Sequence, residues 1–192
     1  MKNFNDYEIV CCDLFNTLVR NTVRLNPYKK LYQDIKKENP YIDFFPHDLF
    51  HYSMVRNFNV EELIKYFSVK LDKSKIENFK LKLEEEKNSL IFNEDLIERL
   101  NNTKGKIVLI SNLSKEYCFA VEEIKKRIKF DKIILSYDVG ILKPEKRIFN
   151  IVVEEYNVNP MDIIMIGDSQ KMDILGATEV GFDTKLIVKW WN

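Results

Sequence analysis

Short, uniformly apolar runs recur along this chain and constrain its fold more than any other feature. They are bounded by charged or turn-forming residues and read YEIVCC (7–12), KIVLIS (106–111), KIILS (132–136), DIIMIG (162–167) and TKLIV (184–188). These runs lack the alternation of apolar and polar residues that is typical of a strand with one solvent-exposed face. We therefore expect strands buried on both faces, as in a parallel sheet covered by helices.

Segments with helical patterns separate the later runs. They lie at 114–128, 144–157 and 171–180, and each is long enough for a crossover connection. Strands that alternate with such helices form a series of βαβ units. The sequence therefore predicts an α/β fold with a doubly wound, mostly parallel sheet.

The interval 21–102 interrupts this series after its first strand. It contains helical stretches at 27–37, 60–71 and 73–91 and no comparable apolar run. An insertion here lies beside the carboxyl end of the first strand, where α/β folds bind ligands. We predict an α/β core made of residues 1–20 and 103–192, and a small helical cap made of residues 21–102. The aromatic side chains of the cap are expected to form a bundle core rather than a substrate cage: Phe44, Phe45, Phe50, Tyr52, Phe58, Tyr66 and Phe67.

Charge and cysteine content restrict the partners and the compartment. The 30 Lys plus Arg balance the 30 Asp plus Glu, so the net field does not attract nucleic acid or acidic membranes. We expect a small phosphorylated substrate, no nucleic-acid or membrane partner, and a monomer or homodimer.

Cys11, Cys12 and Cys118 form neither a disulfide framework nor a CxxC metal motif. The first residues also lack the pattern of a signal peptide, so we expect a cytoplasmic protein.

An aspartate directly follows the first predicted strand. Asp13 opens the segment D-L-F-N-T-L, in which Thr17 lies four residues further on. A carboxylate at this point can act as a nucleophile or a metal ligand, and the threonine hydroxyl can bond a ligand or the loop. An aspartate after a strand is also a common turn former, so this segment alone does not identify a site.

Polar residues also follow the second and third predicted strands. Ser111 ends the run KIVLIS, Asn112 directly follows it, and a helix opens near Ser114. A hydroxyl and unpaired amides at a helix start can hold phosphate, although Asn112 or Ser114 could instead cap the helix. Lys143 precedes Pro144, which we place in the first turn of the next helix. A lysine held there brings a fixed positive charge to a phosphate or a carboxylate.

Two further carboxylates, Asp168 and Asp173, follow the run DIIMIG. Carboxylates that converge repel each other unless a hard cation lies among them, and Mg²⁺ prefers oxygen ligands. The alternative is a turn aspartate followed by an aspartate at a helix start. Taken with Asp13, Ser111 and Lys143, the pair predicts a phosphoryl-transfer site at the carboxyl edge of one sheet.

These segments together resemble the haloacid dehalogenase superfamily. The resemblance covers the predicted core: DLFNTL, ISN (110–112), SYDVGILKPEKRIF (136–149) and GDSQKMDILGA with the trailing Gly181. The chain is also similar to the subgroup that has a helical cap between the first and second motifs. The resemblance implies an α/β core with its active site at the carboxyl ends of the strands.

The resemblance also implies a role for each motif residue. The implied cofactor is Mg²⁺, with three ligands: the carboxylates of Asp13 and Asp168 and the backbone carbonyl of Phe15. The implied catalytic residues are the nucleophile Asp13, with Ser111 and Lys143 around the phosphoryl group, and Asp173, which orients Lys143 or metal-bound water. Thr17 and Asn112 complete the prediction as substrate-binding residues.

One position departs from the phosphatases of the superfamily. They usually carry a second aspartate two residues after the nucleophile, as general acid and then base, whereas this chain has Phe15. A phenyl ring cannot transfer a proton, so either the leaving group is good or the cap supplies the proton from His47, His51 or Asp43. An aromatic residue here resembles the dehalogenase branch, which does not use magnesium and lacks the counterpart of Asp168.

Three functions therefore stay open. We expect a magnesium-dependent phosphohydrolase that acts on a small phosphorylated metabolite through an aspartyl-phosphate intermediate on Asp13. The first alternative is a phosphate-binding pseudoenzyme with little or no activity, which the missing acid favours. The second is a hydrolase like the 2-haloacid dehalogenases, which Phe15 favours and Asp168 disfavours.

Overall fold

The computed structural model describes residues 3–191 of the chain. Its strands, in chain order, are β1 (Ile9–Cys12), β2 (Val19–Asn21), β3 (Leu90–Phe92), β4 (Lys106–Ser111), β5 (Lys132–Leu135), β6 (Ile163–Gly167) and β7 (Asp183–Leu186). Its α-helices are α1 (Pro27–Glu38), α2 (Pro46–Val55), α3 (Val60–Tyr66), α4 (Lys73–Lys87), α5 (Glu94–Asn101), α6 (Cys118–Lys125), α7 (Ser136–Val139), α8 (Lys146–Tyr156) and α9 (Gly176–Thr178). Short 3₁₀ helices lie at Phe4–Asp6, Lys115–Tyr117 and Pro160–Asp162, and a π-helix spans Gln170–Leu175.

Five strands form one parallel sheet in the order β5-β4-β1-β6-β7. The central strand β1 pairs with β4 on one side and β6 on the other, so that Ile9 lies opposite both Lys106 and Ile163. These strands coincide with the five apolar runs of the sequence. The predicted α/β fold with a doubly wound, mostly parallel sheet is therefore confirmed.

Residues of β1 are completely buried because helices cover both faces of the sheet. Val10 and Cys12 contribute to one apolar cluster, which also contains residues of α5 and α6. Ile9 and Cys11 contribute to the opposite cluster, which also contains residues of α8. A strand that is buried on both faces does not need alternating apolar and polar residues, which explains the uniformly apolar runs.

Helices α1–α4 bury their apolar faces mainly against one another. Their shared cluster includes Leu31, Leu49, Leu63 and Phe79. The short strands β2 and β3 lie at the two ends of this helical segment and pair antiparallel, with Asn21 opposite Leu90. Helix α5, by contrast, buries its apolar residues in a cluster with β1. The division into a core of 1–20 and 103–192 and a cap of 21–102 stays a prediction.

Several predicted elements differ from the observed ones. The interval 21–102 was expected to have no strand, but it contains β3, and helix α2 was not predicted. The stretch expected to be helical through residue 91 ends at Lys87, because Leu90–Phe92 pairs with β2 instead. Pro144 was expected in the first turn of a helix, but it follows a cis peptide bond from Lys143 and precedes α8. Within residues 3–191, no helix has the length and apolar character needed to cross a membrane.

Candidate active site

The predicted polar residues gather at the carboxyl edge of the parallel sheet. Asp13 directly follows β1, and its backbone N–H donates to the carbonyl of Ile166 in β6 at 2.9 Å. Ser111 is the last residue of β4, and Asp168 directly follows β6. Because neighbouring parallel strands end side by side, these three residues from distant parts of the sequence share one edge.

Lys143 is buried at the centre of this group. Its ammonium nitrogen lies 2.6 Å from Oδ1 of Asp13, 2.6 Å from Oδ1 of Asp173 and 2.8 Å from the carbonyl of Ile110. These contacts use all three donors of the ammonium group. Burial alone would lower the pKa of Lys143, but the charges of Asp13 and Asp173 raise it above its ordinary value. The lysine is therefore a fixed positive charge beside Asp13.

Asp168 joins the two carboxylates that contact Lys143 to form a cluster of three acids. Oxygen atoms of Asp13, Asp168 and Asp173 all lie within 4.8 Å of one another. Burial raises the pKa of Asp13 to about 6, against the opposing charge of Lys143. Burial also raises the pKa of Asp168, and the charge of Asp173 adds to that shift. A compact set of oxygen donors with more negative than positive charge has the chemistry that Mg²⁺ prefers. The residues present therefore fit a magnesium ion.

Asp173 is held by a single turn of π-helix. Its Oδ2 accepts a hydrogen bond from the backbone N–H of Ser169 at 3.0 Å, while Oδ1 contacts Lys143. The carboxylate packs so closely on the end of β6 that any Cβ at Gly167 would overlap it. Isolated π turns of this kind are frequent at functional sites.

The side chain of Asn112 holds the backbone of Lys143 from both sides. Its Nδ2 donates to the Lys143 carbonyl at 2.9 Å, and its Oδ1 accepts from the Lys143 N–H at 2.7 Å. The structure thus gives Asn112 a positioning contact that sequence reasoning missed. Substrate binding by Asn112 stays a prediction, as does phosphoryl contact by the neighbouring Ser111, which is 1% exposed.

The loop after Asp13 is fixed by contacts that reach across the molecule. The Thr17 hydroxyl donates to Oδ2 of Asp13 at 3.3 Å. Asn16 has a left-handed backbone with φ 59°, which asparagine tolerates better than most residues. Its carbonyl accepts from the indole N–H of Trp190 at 2.7 Å, and its Oδ1 accepts from Arg24 at 2.7 Å. Sequence reasoning missed both partners of Asn16, Trp190 and Arg24, and no local motif in the sequence indicates them.

A pocket of about 630 Å³ opens beside this loop, between it, helices α1 and α2, and the segment that follows β4. Phe15 lines the pocket and also forms a backbone bridge with Val19. Coordination of a metal by the Phe15 carbonyl stays a prediction. Of the three residues considered as proton donors, His47 lines the pocket, whereas His51 and Asp43 are exposed and not among the lining residues.

The expectation that the aromatic residues of 21–102 form only a bundle core is partly wrong. Phe44, Tyr52, Phe58 and Phe67 do pack against the shared cluster of α1–α4. Phe45, Phe50 and Tyr66 are exposed, because the bundle is too small to bury every ring, and Phe50 lines the pocket.

Fold and site together define a class: a parallel α/β protein whose carboxyl edge presents an aspartate, a buried lysine and an acidic pair. Comparison with protein families agrees with that class. The family described as haloacid dehalogenase-like hydrolase matches residues 25–187. The chain belongs to this family. The match begins after Asp13, so the assignment of Asp13 rests on the motif and the geometry described above.

Known proteins resemble the chain in sequence and in fold. It is 34% identical to the pyrimidine 5'-nucleotidase YjjG of Escherichia coli over 92 residues, which are 46% of this chain and 41% of that protein. It is 38% identical to the glyceraldehyde 3-phosphate phosphatase of Pyrococcus furiosus over 55 residues, 29% of this chain and 23% of the relative. The matched segment thus spans less than half the length of these curated relatives.

A solved structure resembles the whole chain. It is a HAD family enzyme of Bacteroides thetaiotaomicron in complex with magnesium and inorganic phosphate. It superimposes with a TM-score of 0.63 at 17% identity, over 97% of this chain and 96% of that one. At this identity the likeness establishes the shared fold.

Proposed function

We propose that this protein is a magnesium-dependent phosphohydrolase that acts on a small phosphorylated metabolite through a covalent intermediate on Asp13. One observation carries the proposal: a buried lysine bonds the nucleophile candidate and Asp173 at 2.6 Å each, within a cluster of three carboxylates. Phosphoryl transfer needs an oriented nucleophile and fixed positive charge for the phosphate oxygens. Three similarities support this assignment: to a pyrimidine 5'-nucleotidase, to a glyceraldehyde 3-phosphate phosphatase, and in fold to an enzyme solved with magnesium and phosphate.

The first step is an in-line attack of Asp13 on the phosphorus atom. A carboxylate oxygen forms the new bond to phosphorus, and the ester P–O bond breaks with its electron pair on the departing oxygen. Lys143 keeps Asp13 oriented and offers its positive charge to the incoming oxygens. Ser111 and the nearby backbone amides help to position them.

The second step regenerates the carboxylate. Water attacks the phosphorus of the aspartyl-phosphate and loses a proton to solvent, and the bond to Asp13 breaks to release inorganic phosphate. When bound, Mg²⁺ would neutralise phosphate charge, and Asp13 and Asp168 would hold it with the carbonyl of Phe15. Asp173 acts by orienting Lys143.

The test is phosphate release from a panel of phosphorylated metabolites, with and without Mg²⁺, for the wild type and Asp13→Asn. The amide is nearly isosteric with the acid but is a poor nucleophile, so turnover should vanish while far-UV circular dichroism is unchanged. Turnover by a clean preparation of Asp13→Asn would contradict the covalent mechanism.

The same preparation separates the two alternatives. Phosphate binding without release from any ester would identify a phosphate-binding pseudoenzyme, which the absence of an acid at Phe15 favours. Chloride release from a 2-haloacid without added metal would identify a dehalogenase, which the aromatic Phe15 favours and the retained Asp168 opposes.

A further inference from the structure

Four aromatic rings form a continuous row along the pocket beside Asp13. Phe15 meets Tyr117 edge to face at 5.7 Å between centroids, and Tyr117 stacks on Tyr28 at 6.5 Å. Tyr28 in turn meets Phe50 of α2 at 6.0 Å. All four side chains line the 630 Å³ pocket, and we call them the aromatic row. The row begins two residues from Asp13, so it starts where the departing part of a substrate would lie.

Hydrogen bonds hold the Tyr117 ring of this row in place before any ligand binds. The Tyr117 hydroxyl donates to Oε2 of Glu86 at 2.6 Å, and Oε1 of Glu86 accepts from the backbone N–H groups of Leu25 and Asn26. Burial raises the pKa of Tyr117 well above its ordinary value, and the bond to Glu86 adds to the shift. Burial likewise raises the pKa of Tyr28. The row therefore presents neutral, preorganised rings, which suit a flat apolar group.

The charged side chains at the pocket favour an anionic ligand. Among the described residues that line it, Arg24, Lys29 and His47 can carry positive charge. Glu86 is the acid of that lining, and it is 4% exposed and already holds two N–H groups and the Tyr117 hydroxyl. A dianionic phosphate attached to an apolar ring matches both the charge and the surface of this pocket.

The residue at the start of the row also restricts the leaving group. Phe15 cannot protonate the departing oxygen, so its presence favours a leaving group that departs readily as an anion. A phenol has a pKa of about 10, whereas an oxygen that resembles water has a pKa of about 15.7, so a phenolate departs far more easily. An aromatic ring attached directly to the ester oxygen would thus meet the aromatic row and also remove the need for an acid.

On these grounds, and on the basis of the proposed phosphohydrolase function, we infer that the substrate is an aryl phosphate monoester. Asp13 takes the phosphoryl group, and the P–O bond to the ring breaks with its electrons on the phenolate oxygen, which gains a proton from solvent. Water then releases phosphate from Asp13. The products are a phenol and inorganic phosphate, and no other reactant is consumed.

Ring recognition is tested by binding, without chemistry. Benzylphosphonate replaces the ester oxygen of phenyl phosphate by a methylene group, and cyclohexylmethylphosphonate is its saturated counterpart. With Mg²⁺ present, calorimetry should show that the wild type binds benzylphosphonate about tenfold more tightly than cyclohexylmethylphosphonate. This preference for the aromatic compound should fall several-fold in Phe15→Leu and in Phe50→Leu. The Phe50 side chain is half exposed, so its replacement should not unfold the protein. Tyr66→Leu, an exposed ring outside the pocket lining, is the matched control and should keep the preference.

Attachment of the ring is tested by turnover of phenyl phosphate and benzyl phosphate, which differ by one methylene between ring and oxygen. We expect kcat/KM for phenyl phosphate to be at least about a hundredfold higher. Equal binding of the two phosphonates, or equal turnover of the two esters, would overturn the aryl assignment while leaving the phosphohydrolase function intact. Failure to hydrolyse any ester with Mg²⁺ would instead refute the proposed function.

Discussion

At the scale of single residues, Asn112 positions Lys143, the lysine that we propose to be catalytic. Both atoms of its amide hold the backbone of Lys143. We predict that Asn112→Ala lowers kcat by about tenfold or more, with a smaller change in KM, because the ammonium group loses its alignment with Asp13. The free energy of unfolding should fall by about 1–3 kcal/mol, since buried partners lose their hydrogen bonds. Steady-state kinetics and urea unfolding measure the two effects, and an unchanged kcat would contradict the positioning role.

Phe15 leads to a second prediction at the same scale. Placing an acid there with Phe15→Asp should raise turnover of alkyl phosphates more than that of aryl phosphates, and so flatten the dependence of rate on leaving-group pKa. A tenfold gain corresponds to about 1.4 kcal/mol off the barrier, which is modest for a well-placed acid.

The matched control for that experiment is Phe15→Asn, which has the same size as the aspartate but no acidic proton. A series of esters with graded leaving-group pKa is measured for the wild type and both variants. If the wild type is already insensitive to the leaving group, another residue supplies the proton, and His47 at the pocket is then the first to be replaced.

Single residues of the site were predictable to different degrees. Asp13, Lys143, Asp168 and Asp173 were found together in the sequence because each lies at or beyond the end of a buried strand, and geometry places them in one cluster. The partners of Asn16 were not predictable. Its contacts with Arg24 and Trp190 depend on how distant segments pack, and neither partner belongs to a local motif.

At the scale of elements, the π turn after β6 leads to a third prediction. Any side chain at Gly167 would overlap the carboxylate of Asp173. Gly167→Ala should therefore displace the turn, lower the free energy of unfolding by about 1–3 kcal/mol and reduce turnover sharply. The control is Gly181→Ala. Gly181 has a left-handed φ of 94°, which would strain an alanine, and it lies far from the carboxylates. That control should lose stability but keep most of its kcat, and equal activity losses in the two variants would contradict the specific contact with Asp173.

Elements were predictable where burial imposes a pattern. The central strands β1, β4 and β6 were evident because both of their faces are covered, which leaves an almost uniformly apolar run. Strand β3 was hidden in a helical pattern, because three residues carry too little periodicity and the pairing with β2 overrides their local preference. Helix α2 was missed for a related reason: its residues are mostly exposed or half-buried, so no continuous apolar face marks it in the sequence.

For the whole molecule, the fourth prediction concerns metal and stability. Oxygen atoms of three carboxylates lie within 4.8 Å of one another at the site, so Mg²⁺ should bind the folded chain and raise its melting temperature. At a hundred times the dissociation constant the gain is about 2.7 kcal/mol, or roughly 5–10 °C for a protein of this size.

Two variants make that measurement specific. Asp168→Ala removes an oxygen donor and should abolish most of the rise in melting temperature. Lys143→Ala removes a competing cation instead, so Mg²⁺ should stabilise that variant at least as much as the wild type. Differential scanning fluorimetry with and without Mg²⁺ measures the rise in melting temperature for the wild type and both variants. An equal rise in the wild type and Asp168→Ala would contradict the proposed ligand set.

The central position of β1 has a consequence for how the chain matures during synthesis. The strand that precedes Asp13 is synthesised before both of its neighbours in the sheet, β4 and β6. Helices α1–α4, whose contacts are local, can associate while β1 still waits for both partners. A nascent chain arrested before residue 163 would carry Asp13 but not Asp168 and Asp173, the carboxylates that complete its surroundings. The surroundings of Asp13 are therefore complete only after Asp168 and Asp173 have been synthesised, so the order of translation determines when the site can form.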